Sequence, residues 1–191
     1  MTTSPATKLD DERLLVLLAQ ALVSQPRATL QELARAVGVS KATLYRFCRT
    51  REELVDRLMS HGAQVMHRAL ADAAVDDGAP ADALRRVIQG LLEHREMAAF
   101  LTFYWRPDSE KDTRWAILWN EFEEKMDAFF LRGQREGVFR IDISAPAMME
   151  ALISLVTGMV DAERRGRVAR AGLSGMVETL FMRGALAQAQ A

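Results

Sequence analysis

The sequence predicts an all-α fold: an N-terminal three-helix unit joined by a long helix to a larger C-terminal helical bundle. Three observations predict it. Apolar residues recur at steps of three and four through almost the whole chain. The breaks between these stretches fall at glycine or proline. Strand-like alternation is confined to Val138–Ile143, a short run between Gly137 and Ser144 that reads as a connector. With 191 residues, 49% hydrophobic and 27% charged, the composition is that of an ordinary globular protein.

The helices follow in order. The first is expected from Asp10 to Ser24, with Leu15, Leu18, Ala19 and Leu22 on one face and Pro26 beyond its end. Met1–Lys8 is polar and expected to lack fixed structure. Thr29 and Glu32 form a capping box, and Leu30, Leu33, Ala34 and Val37 make the apolar face of a second helix. Gly38 turns the chain, Ser40 caps a third helix, and Leu44 and Phe47 face the same small core. Thr50 and Glu53 read as a second capping box opening a fourth helix to about Ala74. A fifth is expected from Ala81 to Phe103, a sixth from Ser109 to Glu136, a seventh from the Ser144 cap to Arg165, and a last one to about Ala187. The unit boundary is placed at 9–55 and 56–191.

Two helices joined by a tight glycine turn, with a third following at once, are a helix-turn-helix. Its outer face carries Lys41, Ala42, Thr43, Tyr45 and Arg46, side chains suited to a major groove. Residues 27–51 hold six cations against Glu32 alone, a local +5 on a chain whose net charge is −1. Such a localised positive surface is the footprint of phosphate binding. Arg51 stands in the first turn of a helix, where the dipole disfavours a cation, and a phosphate partner would offset that.

These residues resemble the DNA-binding domain of TetR-family transcriptional regulators. The resemblance rests on Thr29, Leu33-Ala34, Val37-Gly38-Val39-Ser40-Lys41, Thr43-Leu44-Tyr45 and Arg51-Glu52, all in register, and covers roughly residues 9–60. Ala42 stands where the family very often has Gly, and Phe47-Cys48 departs from its usual aromatic or His followed by Phe. The resemblance implies a homodimeric regulator, most often a repressor, released from a palindromic double-stranded DNA operator by a small molecule. It assigns Thr29, Tyr45 and Arg51 to phosphates. Ser40, Lys41, Ala42 and Thr43 lie nearest base edges, and Arg46 and Arg49 make phosphate or groove contacts. Separately, the single cysteine, which allows no intrachain disulfide, suits a reducing compartment, so the expected location is cytoplasmic.

In the seventh helix, Met148, Leu152, Leu155 and Met159 form one apolar stripe, and Met149, Ile153, Val156 and Val160 a second. The last helix offers Leu173, Met176, Val177, Leu180, Phe181 and Gly184. Two stripes mean cover on two sides: either a protomer core alone, or a core plus a second copy, which the resemblance favours. Gly158, inside the helix, costs about 1 kcal/mol relative to Ala, and close approach of a second helix or a kink would account for it.

Nine of the thirteen aromatic residues lie between Phe100 and Phe130. They read as packed core or as an apolar effector cavity, and the resemblance adds weight to the cavity. Its expected lining is Met66, His67, Leu91, His94, Phe100, Phe103, Tyr104, Trp115, Trp119, Phe122 and Met126, suited to an apolar or aromatic effector. Inward-turned carboxylates among Glu93, Glu96, Glu121, Glu123 and Glu124 would favour a cation.

No His/Cys grouping has metal spacing, no phosphate-binding glycine loop occurs, and no acid–base or nucleophile constellation supports catalysis. No cofactor is expected. The single Cys48 excludes an intrachain disulfide, and reads as a buried small residue or, beside Arg46 and Arg49, a reactive thiol. No apolar run is expected to be long enough for a membrane span. Two other classes stay open: a non-specific architectural DNA binder, and an all-α enzyme or small-molecule-binding protein.

Overall fold

The computed structural model describes residues 5–104 and 114–186, with the side chains of 5–10, 114–116 and 118 outside the described set. Within those residues the helices are α1 (Pro5–Ser24), α2 (Leu30–Ala36), α3 (Lys41–Phe47), α4 (Arg51–Asp72), α5 (Pro80–Glu93), α6 (Arg95–Tyr104), α7 (Arg114–Arg135), α8 (Ala145–Arg164) and α9 (Leu173–Ala185). The Val138–Ile143 connector holds no strand ladder. An isolated antiparallel bridge from Phe139 to Leu186 pins it to the end of α9.

The N-terminal unit is small because α2 and α3 are seven residues each, too short to persist without packing. Leu18 and Leu22 of α1, Leu33 of α2, Leu44 of α3 and Leu54 and Leu58 of α4 converge, each fully buried. Each such leucine contributes roughly 1.5–3 kcal/mol. Gly38, at φ +75°, makes the turn between α2 and α3 in the left-handed region that favours glycine. From this unit α4 runs on without interruption into the body, so the expected boundary at 55/56 falls inside a continuous helix. The head is also braced by α1, which packs along α6 as well as against α4. In the body α4 packs on α5, α6 and α7, while α8 is held between α6, α7 and α9.

Four expectations are corrected. First, α1 begins at Pro5, so Pro5–Lys8 is helical; Pro is compatible with a first helical position because its missing N–H has no partner there in any case. Second, the single helix expected over Ala81–Phe103 is two. The chain leaves helical geometry at His94 (φ −104°, ψ 27°), so that α5 lies against α9 and α6 turns to meet α1 and α8. Third, only half of the Thr50 capping box forms. Thr50 accepts from the Glu53 N–H (3.1 Å), but the Glu53 carboxylate accepts instead from the N–H of Arg49 (2.8 Å) and from Arg57 (2.9 Å). Fourth, α8 is long and apolar enough to cross a bilayer by length and composition, with 20 residues and a mean hydropathy of 1.3. One face of it is instead buried in the bundle through Met148, Met149, Leu152 and Val156. Ser109–Thr113 of the sixth expected helix and the last residue of the final one lie outside the described residues.

Candidate nucleic-acid interface

The outward face of α3 follows from what turns inward. Leu44 is fully buried, which fixes the roll of the helix. Lys41, Ala42, Tyr45 and Arg46 are therefore exposed, with Thr43 half-buried at their edge. Ser40 caps the helix by accepting from the Thr43 N–H (3.0 Å), and the Ser40 and Thr43 hydroxyls bond each other (2.7 Å). Either hydroxyl must leave that bond to serve a base edge. The Lys41 ammonium lies 5.3 Å above the centre of the Tyr45 ring, so one residue of the face positions the other.

Beside this helix, Arg27, Arg35 and Arg49 are exposed. Thr29 completes its capping box with Glu32: it accepts from the Glu32 N–H (3.3 Å), while its own N–H (2.7 Å) and hydroxyl (2.8 Å) both donate to the carboxylate. Those bonds hold the Glu32 carboxyl below its usual range. The bonds to Glu53 from the Arg49 N–H and Arg57 act likewise.

Arg51 departs from expectation. Its guanidinium turns inward, donating to the Pro26 carbonyl (2.6 Å) and to the Tyr104 hydroxyl (2.8 Å). The cation at the α4 N-terminus is thus matched by protein acceptors rather than left facing solvent. Tyr104, expected at an effector cavity, is its partner. Sequence spacing carries no signal for this pair, which is 53 residues apart.

The other expected cavity residues differ in burial. Met66, Leu91, Phe100, Phe122 and Met126 are buried core. Phe103 and His94 are exposed. The His67 Nε2 lies 3.8 Å from a Glu121 carboxylate oxygen, and the Trp115 side chain lies outside the described residues. Among the described residues, three sets of ring contacts are seen around one core. Near Arg51, Phe100 stacks on Tyr104, and Phe103 meets Tyr104 with its ring tilted by 59°. Trp119 stacks on Phe122 with ring centres 5.2 Å apart. Phe129, Phe130, Phe139 and Phe181 meet one another within the same core. Trp119 also donates its indole N–H to Glu123 (2.7 Å), an i,i+4 pair that spacing could have revealed. Burial pushes the Glu123 carboxyl up, with Glu150 and Asp127 adding to it, and burial likewise raises Asp127.

At the far side of the body, Met148, Leu152, Leu173, Val177 and Phe181 are buried within the protomer. Met176 and Leu180 are exposed, and Leu155 and Met159 half-buried. The expected interface set thus holds both an inward and an outward row. The outward row borders an apolar groove of about 320 Å³ lined by Ile143, Met148, Ala151, Leu155, Leu180, Phe181, Gly184 and Ala185. Gly184 falls on the face expected of the last helix, whereas Ala151 was missed because a small residue adds little to an apolar stripe. Gly158 lies on the outer side of α8, with open space where a Cβ would point, and the helix runs unbroken through it.

Residues 26–58 match the family model described as "Bacterial regulatory proteins, tetR family". The chain is 50% identical over 175 residues to the HTH-type transcriptional regulator NfxB of Pseudomonas aeruginosa, covering 92% of this chain and 94% of that protein. Its fold is similar to that of the TetR family regulator PfmR from Thermus thermophilus, with TM-score 0.68, 23% identity, and 99% and 100% of the two chains covered. It is also similar to the TetR-like regulator LfrR from Mycobacterium smegmatis in complex with proflavine, with TM-score 0.70, 21% identity, and 95% and 99% covered. The chain belongs to the TetR family: it is a helix-turn-helix, DNA-binding transcriptional regulator and not an enzyme.

Proposed function

We propose that this regulator is a homodimeric repressor whose two heads occupy the halves of a palindromic operator. The observation that carries the reading is the pair of free surfaces at opposite ends of the protomer: the basic outer face of α3 and the apolar row on α8 and α9. One reading helix covers too little DNA to select a site; two related by a two-fold axis read half-sites about 34 Å apart or a multiple of it. Lys41, Ala42 and Thr43 are the base-edge residues in this reading. Tyr45, Arg46, Arg49 and Thr29 serve the phosphates, Thr29 without its capping box being lost. The outward Leu155, Met159, Met176 and Leu180 meet their mates, and the open space at Gly158 admits close helix approach. The DNA partner places the protein in the cytoplasm.

The effector in this reading is apolar or aromatic and enters beside Trp119 and Phe122. Entry requires the buried Phe100, Phe122 and Met126 to repack. Glu123, hydrogen-bonded to the Trp119 indole, supplies a carboxylate at the edge of that stack and favours a cationic aromatic. A similar fold, that of LfrR, was solved with proflavine. To change operator occupancy the effector must prefer the DNA-free arrangement, and a hundredfold preference is worth about 2.7 kcal/mol.

The test is selection of genomic fragments by the purified protein, followed by sequencing and by sedimentation of the complex. A short shared palindrome bound by two protomers supports the reading. Bound fragments without a shared motif reject it in favour of a non-specific DNA binder.

A further inference from the structure

We infer that Arg51 and Tyr104 are positioning residues that set the angle of the reading head on the body, and with it the half-site spacing the dimer accepts. This rests on the homodimeric reading above.

One guanidinium ties three parts of the fold together. Arg51 is the first residue of α4. Its Nη2 donates to the carbonyl of Pro26, in the loop between α1 and α2, and to the hydroxyl of Tyr104, in the last turn of α6. The guanidinium carbon lies 5.8 Å from the centre of the Tyr104 ring. Tyr104 is itself fixed by Phe100, which is fully buried and stacked on it at 4.7 Å. The Pro26 carbonyl belongs to the head, three residues before the Thr29 cap. Phe100 and Tyr104 belong to the body.

The chemistry suits a rigid strut rather than a flexible tether. A planar guanidinium presents donors in a fixed fork, which a lysine ammonium does not. A cation in the first turn of a helix is disfavoured by the helix dipole, so Arg51 at this position needs acceptors, and those it has lie on the two bodies that must be held in register. The continuous α4 and the apolar packing of α1 along α6 hold the head to the body, but such packing fixes a roll angle less sharply than a directional hydrogen bond does. A contact off the α4 axis, from Pro26 to α6, restrains the roll.

The experiment compares the full-length wild type, Arg51→Ala and Tyr104→Phe on synthetic duplexes. One set carries the selected operator with its half-sites moved by one and two base pairs in either direction, and another a single half-site. The inference expects a sharp spacing optimum in the wild type. Both variants should lower the ratio of optimal to displaced binding on the order of fivefold or more. Single half-site affinity, base preference and the salt slope should stay as in the wild type. Tyr104→Phe keeps the ring stack and removes only the hydroxyl acceptor, so it serves even if Arg51→Ala folds poorly. A wild-type spacing profile in Tyr104→Phe overturns the inference. So does an Arg51→Ala variant that loses single half-site affinity with a reduced salt slope, the signature of a lost phosphate contact. A wild type indifferent to spacing also overturns it, and there marks the homodimeric reading as the one at fault.

Discussion

A side chain at Gly133 would run into the ring of Phe139. The ring is fully buried and lies over the place where a Cβ would stand. The Gly133 carbonyl accepts from the N–H groups of both Val138 (2.9 Å) and Phe139 (3.1 Å), so the turn after α7 is closed onto this residue. Phe139 in turn meets the rings of Phe129 and Phe130, with centres 5.6 and 5.5 Å away. Gly133→Ala is therefore expected to lower stability by about 1–3 kcal/mol through overpacking. Denaturant titration checks it, and Phe139→Leu in the same chain should restore part of the loss. Unchanged stability in Gly133→Ala would mean the turn relaxes freely.

His61 gives stability an acid limb. Burial pushes its imidazole below the ordinary value; Glu12 opposes that, and Arg68 and His94 add to it. The folded protein then binds fewer protons at His61 than the unfolded chain does. Stability contributed this way is present above the unfolded value of about 6.5 and is lost as pH falls below it. Urea midpoints at pH 7.5 and 5.5 should fall further for the wild type than for His61→Gln. Equal falls would show that the acid sensitivity lies elsewhere.

The contact between Lys41 and Tyr45 makes their DNA contributions inseparable. Lys41→Ala should relax base preference. Tyr45→Ala should weaken binding to all sequences and also release Lys41, blurring preference, whereas Tyr45→Phe keeps the ring and the position of the ammonium. A double-mutant cycle on operator binding should show a coupling of about 0.5–1 kcal/mol. Strict additivity of the two alanine variants would remove the cation–ring contact from the account.

Leu180 is 55% exposed beside Leu155 at the apolar groove. Leu180→Glu should weaken self-association by about 2 kcal/mol or more while leaving helix content unchanged. Sedimentation across a concentration series reads the shift toward monomer, and operator affinity should fall with it. A variant that stays dimeric at every concentration would place the interface on another face.

What was legible in the sequence was local. The Thr29 and Ser40 caps, the Gly38 turn and the inward Leu44 each depend on residues within a few positions, and all form as the spacing predicts. The outward α3 face followed from them. The division at His94 was hidden because no glycine or proline marks it. The apolar rhythm carries on through the break, and the change of direction is set by α1, α8 and α9 packing on different sides. The acceptors of Arg51 were hidden for a related reason. Its position argued correctly for a compensating partner, but the partner is a hydroxyl supplied from the end of α6. The aromatic segment is legible as a group because its residues are close in sequence, and its buried rings do join one core, but which ring meets which is set by tertiary packing.

The one sulfhydryl of the chain is Cys48, the residue that closes α3, 1% exposed and raised above its ordinary pKa by burial and by Glu53. A thiol so placed is silent while α3 is seated and reacts only when that helix lifts from the leucines beneath it. The rate at which a thiol-selective reagent consumes Cys48 is thus a clock for openings of the reading helix, wound into the native sequence without any added label. Duplex DNA lying across α3 must slow that clock, which ties the chemical lifetime of a single sulfur atom to the occupancy of the operator.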